Sequence, residues 1–253
     1  MSRCSVKTCS SNSTRDHFVR CEAAATPNVS LAGLDGCRGG WVMVRRDGTG
    51  AFNAPLILNQ IDAMPPTDIV VIDMPIGLPE TGSRACDLEA RALLGRRRSS
   101  VFIGARRPLL SFRDYADANA WAKSDGSGIS KQLWHILDKI RQVDAWITLA
   151  DQKWCREGHP ELAFLAAVGT PLAYPKKTPE GEAERCAALA RFIPLPQSKS
   201  WLDDLSGKMV ARDDLIDAAI LCRSAARTAL GRAWQLPANP ERDATGLVME
   251  MVF

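Results

Sequence analysis

Ile69-Val70-Val71-Ile72 is the feature that most constrains this chain. Four β-branched residues in a row, with no polar residue among them, suit a strand buried on both faces. The run ends in Asp73-Met74-Pro75. A second apolar run, over 30–34, ends in Asp35-Gly36. Packing does not explain an acid at the polar end of a buried strand, because a buried charge costs several kcal/mol unless it is paired or bound to a cation. Either Asp alone reads as a turn residue. Two at equivalent places point to a site, and strand ends are where α/β folds build theirs.

The rest of the chain is placed around these strands. Gly36, Gly39 and Gly40 predict a turn into a strand over 41–44, with a third strand over 51–58. Helical spacing of apolar residues predicts helices over 84–94, 115–123 and 130–154. Helices are also expected over 179–191, capped by Thr178, and over 213–230, stopped by Gly231. A strand is expected near 159–165 and another over 247–253. This order predicts an α/β fold with a mixed central sheet, an antiparallel meander followed by parallel strands, flanked by helices. Residues 1–28, rich in Ser, Thr and Arg, read as a disordered extension; 29–253 reads as one domain with a helical insertion over about 80–157. No apolar run reaches the length of a membrane span.

Eight cysteines are scattered with no zinc-type spacing. Cys4, Cys9, Cys21 and His17 make no recognisable metal pattern. Free thiols point to a reducing compartment, and the expected location is cytoplasmic. The net charge of +3 does not by itself announce a nucleic-acid binder. Arg91, Arg96, Arg97, Arg98, Arg106, Arg107 and Arg113, with no acid among them, form a cluster that could meet phosphates or lie on a solvated face.

A third set of acids is Asp213, Asp214 and Asp217. On a helix, Asp217 shares a face with both others. The helix dipole accounts for Asp213 and Asp214, but less well for Asp217, a turn further in among apolar residues. If these acids converge with Asp35 and Asp73, their repulsion demands protons or a cation, and an all-oxygen site favours Mg²⁺ or Mn²⁺. Glu161 is a fourth acid, a ligand or a supporting base, while His159 reads as structural. The glycine turn lacks the order of a dinucleotide or Walker loop, and no nucleophile elbow is present.

These residues carry a resemblance. Segments 33–41 (GLDGCRGGW), 72–79 (IDMPIGLP), 82–87 (GSRACD), 97–102 (RRSSVF), 139–144 (KIRQVD), 159–164 (HPELAF) and 213–218 (DDLIDA) resemble the family catalogued as domain of unknown function 429, described as predicted RNase H-like nucleases. The resemblance implies an RNase H-like fold. It also implies metal ligation by Asp35, Asp73, Asp214 and Asp217, with Mg²⁺ or Mn²⁺ as cofactor. The middle-strand acid departs from many RNase H-like enzymes, which carry Glu where this chain has the shorter Asp73.

The expected activity is metal-dependent hydrolysis of nucleic-acid phosphodiester bonds. Asp35, Asp73, Asp214, Asp217 and Glu161 are the catalytic candidates. Arg84, Arg97, Arg98 and Ser99 are the candidates for holding substrate phosphates. Two rivals are a small-molecule phosphate or ATP-binding enzyme on the same fold, and a non-catalytic nucleic-acid- or protein-binding module.

Overall fold

The computed structural model describes residues 28–205, 207 and 209–253. The expected extension, with Cys4, Cys9, Cys21 and His17, lies outside the described residues apart from Asn28. Seven strands are described: β1 (Leu31–Cys37), β2 (Gly40–Arg46), β3 (Leu56–Leu58), β4 (Ile69–Ile72), β5 (Cys155–Glu157), β6 (Gln235–Leu236) and β7 (Met251–Val252). The helices are α1 (Ala85–Leu94), α2 (Tyr115–Ser124), α3 (Lys131–Trp146), α4 (Pro160–Val168), α5 (Pro179–Leu189), α6 (Leu195–Leu205) and α7 (Arg212–Ala229).

The main sheet has the order β3-β2-β1-β4-β5. The pairs β1–β2 and β2–β3 are antiparallel, whereas β1–β4 and β4–β5 are parallel. This is the expected meander followed by parallel strands, with helices on the sheet, as in an RNase H-like fold. β6 and β7 form a separate two-stranded ribbon.

Both faces of the sheet are buried, which is why the β4 run has no polar alternation. Leu31 and Val71 face one core with Phe164, Ile216 and Ile220. Ala32, Leu34, Val70 and Ile72 face a second core with Leu133, Leu137 and Ile140. The period of two puts Gly33 and Asp35 on the same face as Leu31, and Asp73 on the same face as Val71. That is the face covered by α7. A Cβ on Gly33 would lie 2.0 Å from the Ala218 carbonyl oxygen and 2.3 Å from Cys222 N. Only a glycine lets the helix backbone lie this close to β1.

Several expected elements differ. The strand expected near 159–165 is a helix from Pro160 onward, with His159 as its extended N-cap. Pro160 opens α4, and Gly169 at φ +83° closes it. Every residue from Pro160 to Ala167 is buried, so α4 has no polar side and its sequence carries no helical period. The helix expected over 130–154 ends at Trp146, and the three-residue β5 follows it after a short 3-10 turn. The strand expected over 51–58 contracts to β3, with one bridge between Phe52 and Arg46. The terminal strand contracts to β7. Helix α6 was not expected. The helices α1, α2, α5 and α7 fall where expected, and Thr178 Oγ1 accepts from Gly181 N at the start of α5. No described helix is long and apolar enough to cross a membrane.

Candidate functional site

The parallel register builds the site. Leu34 pairs with Ile72, and Ile72 pairs with Glu157. The ladder continues one step further, with Asp73 N donating to Leu34 O (2.9 Å) and Gly158 N to Ile72 O (2.9 Å). Asp35, Asp73 and Gly158 therefore stand side by side at the ends of three adjacent strands. From the α7 side, Asp217 precedes Ala218, the residue whose carbonyl touches Gly33. The same close approach that seats α7 delivers Asp217 to Asp35.

This placement sets the electrostatics of the site. Burial pushes the Asp35 carboxyl well above its usual range, and Asp73 and Asp217 push it further. Asp73 is raised by burial, with His159 and Lys176 pulling it back. Asp217 is pushed up to about 6 by burial, although Lys176 opposes the shift. Burial also raises Asp214, against the pull of its bond from Ala211 N. Asp35 accepts from Gly36 N at 2.7 Å; among the described residues the Asp73 carboxylate accepts no hydrogen bond. Asp214 Oδ2 accepts from Ala211 N at 3.0 Å, so it also caps α7.

A cleft of about 330 Å³ opens over these strand ends. Its walls include Asp35, Asp73, Asp214, Lys139, Lys176, Ser100 and Phe102. Its volume lies in the range of small-ligand sites. The two lysines are the residues that sequence reasoning missed. Lys176 Nζ lies 2.7 Å from Asp217 Oδ2 and 3.3 Å from Asp213 Oδ2. Lys139 comes from α3, donates to Gly40 O and stacks 4.7 Å above the Trp41 ring.

The other predicted residues take different places. Glu161 Oε1 is held by Arg97 at 3.0 Å and by Arg185. Burial alone would raise Glu161, but the two guanidinium groups hold it below its usual value. Its Oε2 is buried with no hydrogen-bond partner. His159 caps α4: its Nδ1 accepts from Glu161 N, and its Nε2 lies 3.2 Å from Ser100 O.

Arg98 and Ser99 are exposed and outside the cleft wall, where Ser100 stands instead. Four of the seven arginines of the cluster are held by the protein's own groups, while Arg96, Arg98 and Arg113 are exposed. Arg97 pairs with Glu161, Arg106 with Asp125, and Arg107 with Asp144 and Asp243. Arg91 donates to the carbonyls of Arg98 and Val101.

Arg84 is fully buried beside the cleft. Its guanidinium binds Asp87 and clamps both oxygens of Glu157. It lines the inner wall of the cleft and neutralises two carboxylates that the fold has buried. This also decides the fate of Cys86, Asp87 and Glu157, which bring potential ligand atoms within 4.8 Å of one another. Both acids are already committed to Arg84, and burial raises the Cys86 thiol so that it keeps its proton. No metal is assigned there. Arg84→Lys should cost about 2 kcal/mol, because an ammonium cannot reproduce the two-pronged clamp. Urea denaturation checks this, and an unchanged midpoint would remove Arg84 from the core ion network.

Asp35, Asp73, Asp214 and Asp217 offer only hard oxygen donors, and Lys176 is the cation directly paired among them. Excess buried negative charge of this kind fits Mg²⁺ or Mn²⁺. The oxygens are spread rather than closed into a cage, since no three of them meet the 4.8 Å spacing among the described residues. The sequence matches the family described as Protein of unknown function (DUF429) over residues 33–242, most of the chain. The chain belongs to the DUF429 family. Comparison with curated proteins and with solved structures finds no match. The DUF429 match begins at Gly33 and includes Asp35, Asp73, Glu161, Asp214 and Asp217.

Proposed function

We propose that this DUF429 chain is a divalent-metal-dependent phosphodiesterase of RNase H-like type, acting on nucleic-acid phosphodiester bonds. The observation that carries the reading is that Asp35 and Asp73 end adjacent parallel strands at an open cleft, with Asp217 brought towards them by one helix. Asp35, Asp73, Asp217 and Asp214 are the residues that would hold Mg²⁺ or Mn²⁺. Such ions, when bound, supply an activated water and charge stabilisation at the leaving oxygen.

The protein's own groups do the rest. Asp35 and Asp73 are fixed by the strand ladder and need no rearrangement to present their oxygens. Lys139 and Lys176 bring positive charge to the cleft wall, where phosphate oxygens are best met. Phe102 and Ser100 offer an apolar surface and a hydroxyl for the flanking nucleoside. Because Arg84, Arg97, Arg106 and Arg107 are committed to internal acids, the broad basic face that a duplex needs is reduced. A single strand, a chain end or a short phosphodiester fits a cleft of this volume better.

The test is a cleavage screen over single-stranded, duplex, hybrid and branched nucleic acids and dinucleotides, with Mg²⁺ or Mn²⁺ and with chelator. Metal-dependent cutting of single strands or dinucleotides is the expected result. A folded protein that cuts none of them and binds neither ion would overturn the reading.

A further inference from the structure

Lys176 stands where a bound cation would be expected, and its backbone is held there. It lies between α4 and α5. The amides of Ala173 and Tyr174 donate to the two oxygens of Glu184 at 2.9 and 3.1 Å. Arg185 Nη1 donates to Tyr174 O at 3.3 Å. Thr178 donates to Pro175 O through both its amide and its hydroxyl, each at 3.1 Å. A Cβ on Gly181 would lie 1.9 Å from Pro175 O, so the start of α5 is pressed directly on the segment.

The side chain is less confined than the backbone. Lys176 is 38 % exposed, whereas Asp217 is 3 % exposed. It lines the cleft above Asp35 and also a second cavity of about 740 Å³, whose wall includes Lys177 and Arg212. A lysine has a flexible four-carbon stem and a compact charge. Its ammonium can leave Asp217 without moving the chain.

We propose that Lys176 is a tethered cation that competes with the divalent ion for Asp217, holding the carboxylate cluster together in the metal-free protein and turning to a substrate phosphate oxygen when the ion binds. This rests on the metal-dependent reading of the same site. In the metal-free state the ammonium offsets part of the repulsion that burial forces on Asp35, Asp73 and Asp217. Released from Asp217, it remains on the wall of the cleft, where it meets an anionic phosphate.

The experiment is Mn²⁺ titration of the full chain by calorimetry at pH 8. Lys176→Met is expected to bind Mn²⁺ at least tenfold more tightly than wild type. Lys176→Arg keeps the charge and should stay within threefold of wild type. Lys177→Met removes the same charge from the exposed neighbour and should also stay within threefold. The metal-free melting temperature of Lys176→Met should fall, and Mn²⁺ should raise it by more than it raises the wild type.

If wild type binds Mn²⁺ and Lys176→Met binds it equally, Lys176 is only structural and this inference fails alone. If neither binds, the metal-dependent reading fails with it. Should Lys176→Met not fold, Lys176→Gln against Lys176→Arg carries the same comparison.

Discussion

Asp35→Asn is expected to reduce metal-dependent turnover at least about a thousandfold, as a site that relies on ion-held charge loses its central oxygen donor. The same change should make the metal-free protein more stable at pH 7.5. The sign follows from linkage. Burial, Asp73 and Asp217 raise the Asp35 carboxyl in the folded protein above its value in the unfolded chain. A carboxyl raised on folding costs stability as the pH climbs from its unfolded value through its folded one. An amide at this position carries no such cost, and its oxygen still accepts from Gly36 N. The stability difference should shrink as the pH falls through the raised folded value, where the native carboxyl takes up its proton, and vanish near pH 4, where the unfolded chain's carboxyl does so too. Saturating Mn²⁺ should reverse the order by stabilising the wild type alone. Thermal melts at two pH values, with chelator and with Mn²⁺, check all three signs. A variant less stable than wild type at pH 7.5 in chelator would show that Asp35 is paired in the metal-free state.

Gly33→Ala is expected to cost about 3 kcal/mol or more, and Gly33→Val to prevent folding. Overpacking against side chains costs about 1–3 kcal/mol because they can move aside. Here the obstacle is backbone, since the added Cβ would meet Ala218 O and Cys222 N at 2.0 and 2.3 Å. Neither atom can retreat without lifting α7 from β1, and α7 contributes Ile216, Ile220 and Leu221 to the core. A helix displaced even slightly also carries Asp217 away from Asp35, so activity should fall further than stability. Urea denaturation with a parallel Mn²⁺ titration measures both. A midpoint equal to wild type would mean that the helix has more room than the structure gives it.

Asp35 and Asp73 were legible in the sequence because each closes an apolar run, which is a local pattern. Their adjacency was not, because strand pairing joins residues far apart in the chain. Asp217 was legible as an acid among apolar neighbours at helical spacing. Lys176 was not: it lies in a Pro-Lys-Lys-Thr segment with no period, and its meaning comes from Asp217, 41 residues later.

Arg84 was singled out in the sequence as a phosphate ligand, but its ion partners were not legible there. Asp87 is three residues on, while Glu157 is 73 residues away on β5, a strand too short to show as one. Helix α4 was misread for a related reason. A helix buried on every side shows no amphipathic face, and only its opening Pro160 and closing Gly169 marked it. The meander, the β4 run and α7 were legible because burial on one side leaves a period in the residues, and burial of a strand on both faces leaves an unbroken β-branched run.

The parallel ladder has a consequence for how such a chain can change. Neighbouring strands in any sheet lie about 4.8 Å apart. The separation of Asp35 and Asp73 is therefore measured out by peptide hydrogen bonds, as on a ruler, and not by the loops around them. The β1–β2 turn, the long excursion between β4 and β5, and the Lys176 segment can lengthen, shorten or exchange residues while the two carboxylates keep their spacing. Variation in those connections would alter what reaches the cleft and leave the spacing of the two carboxylates untouched.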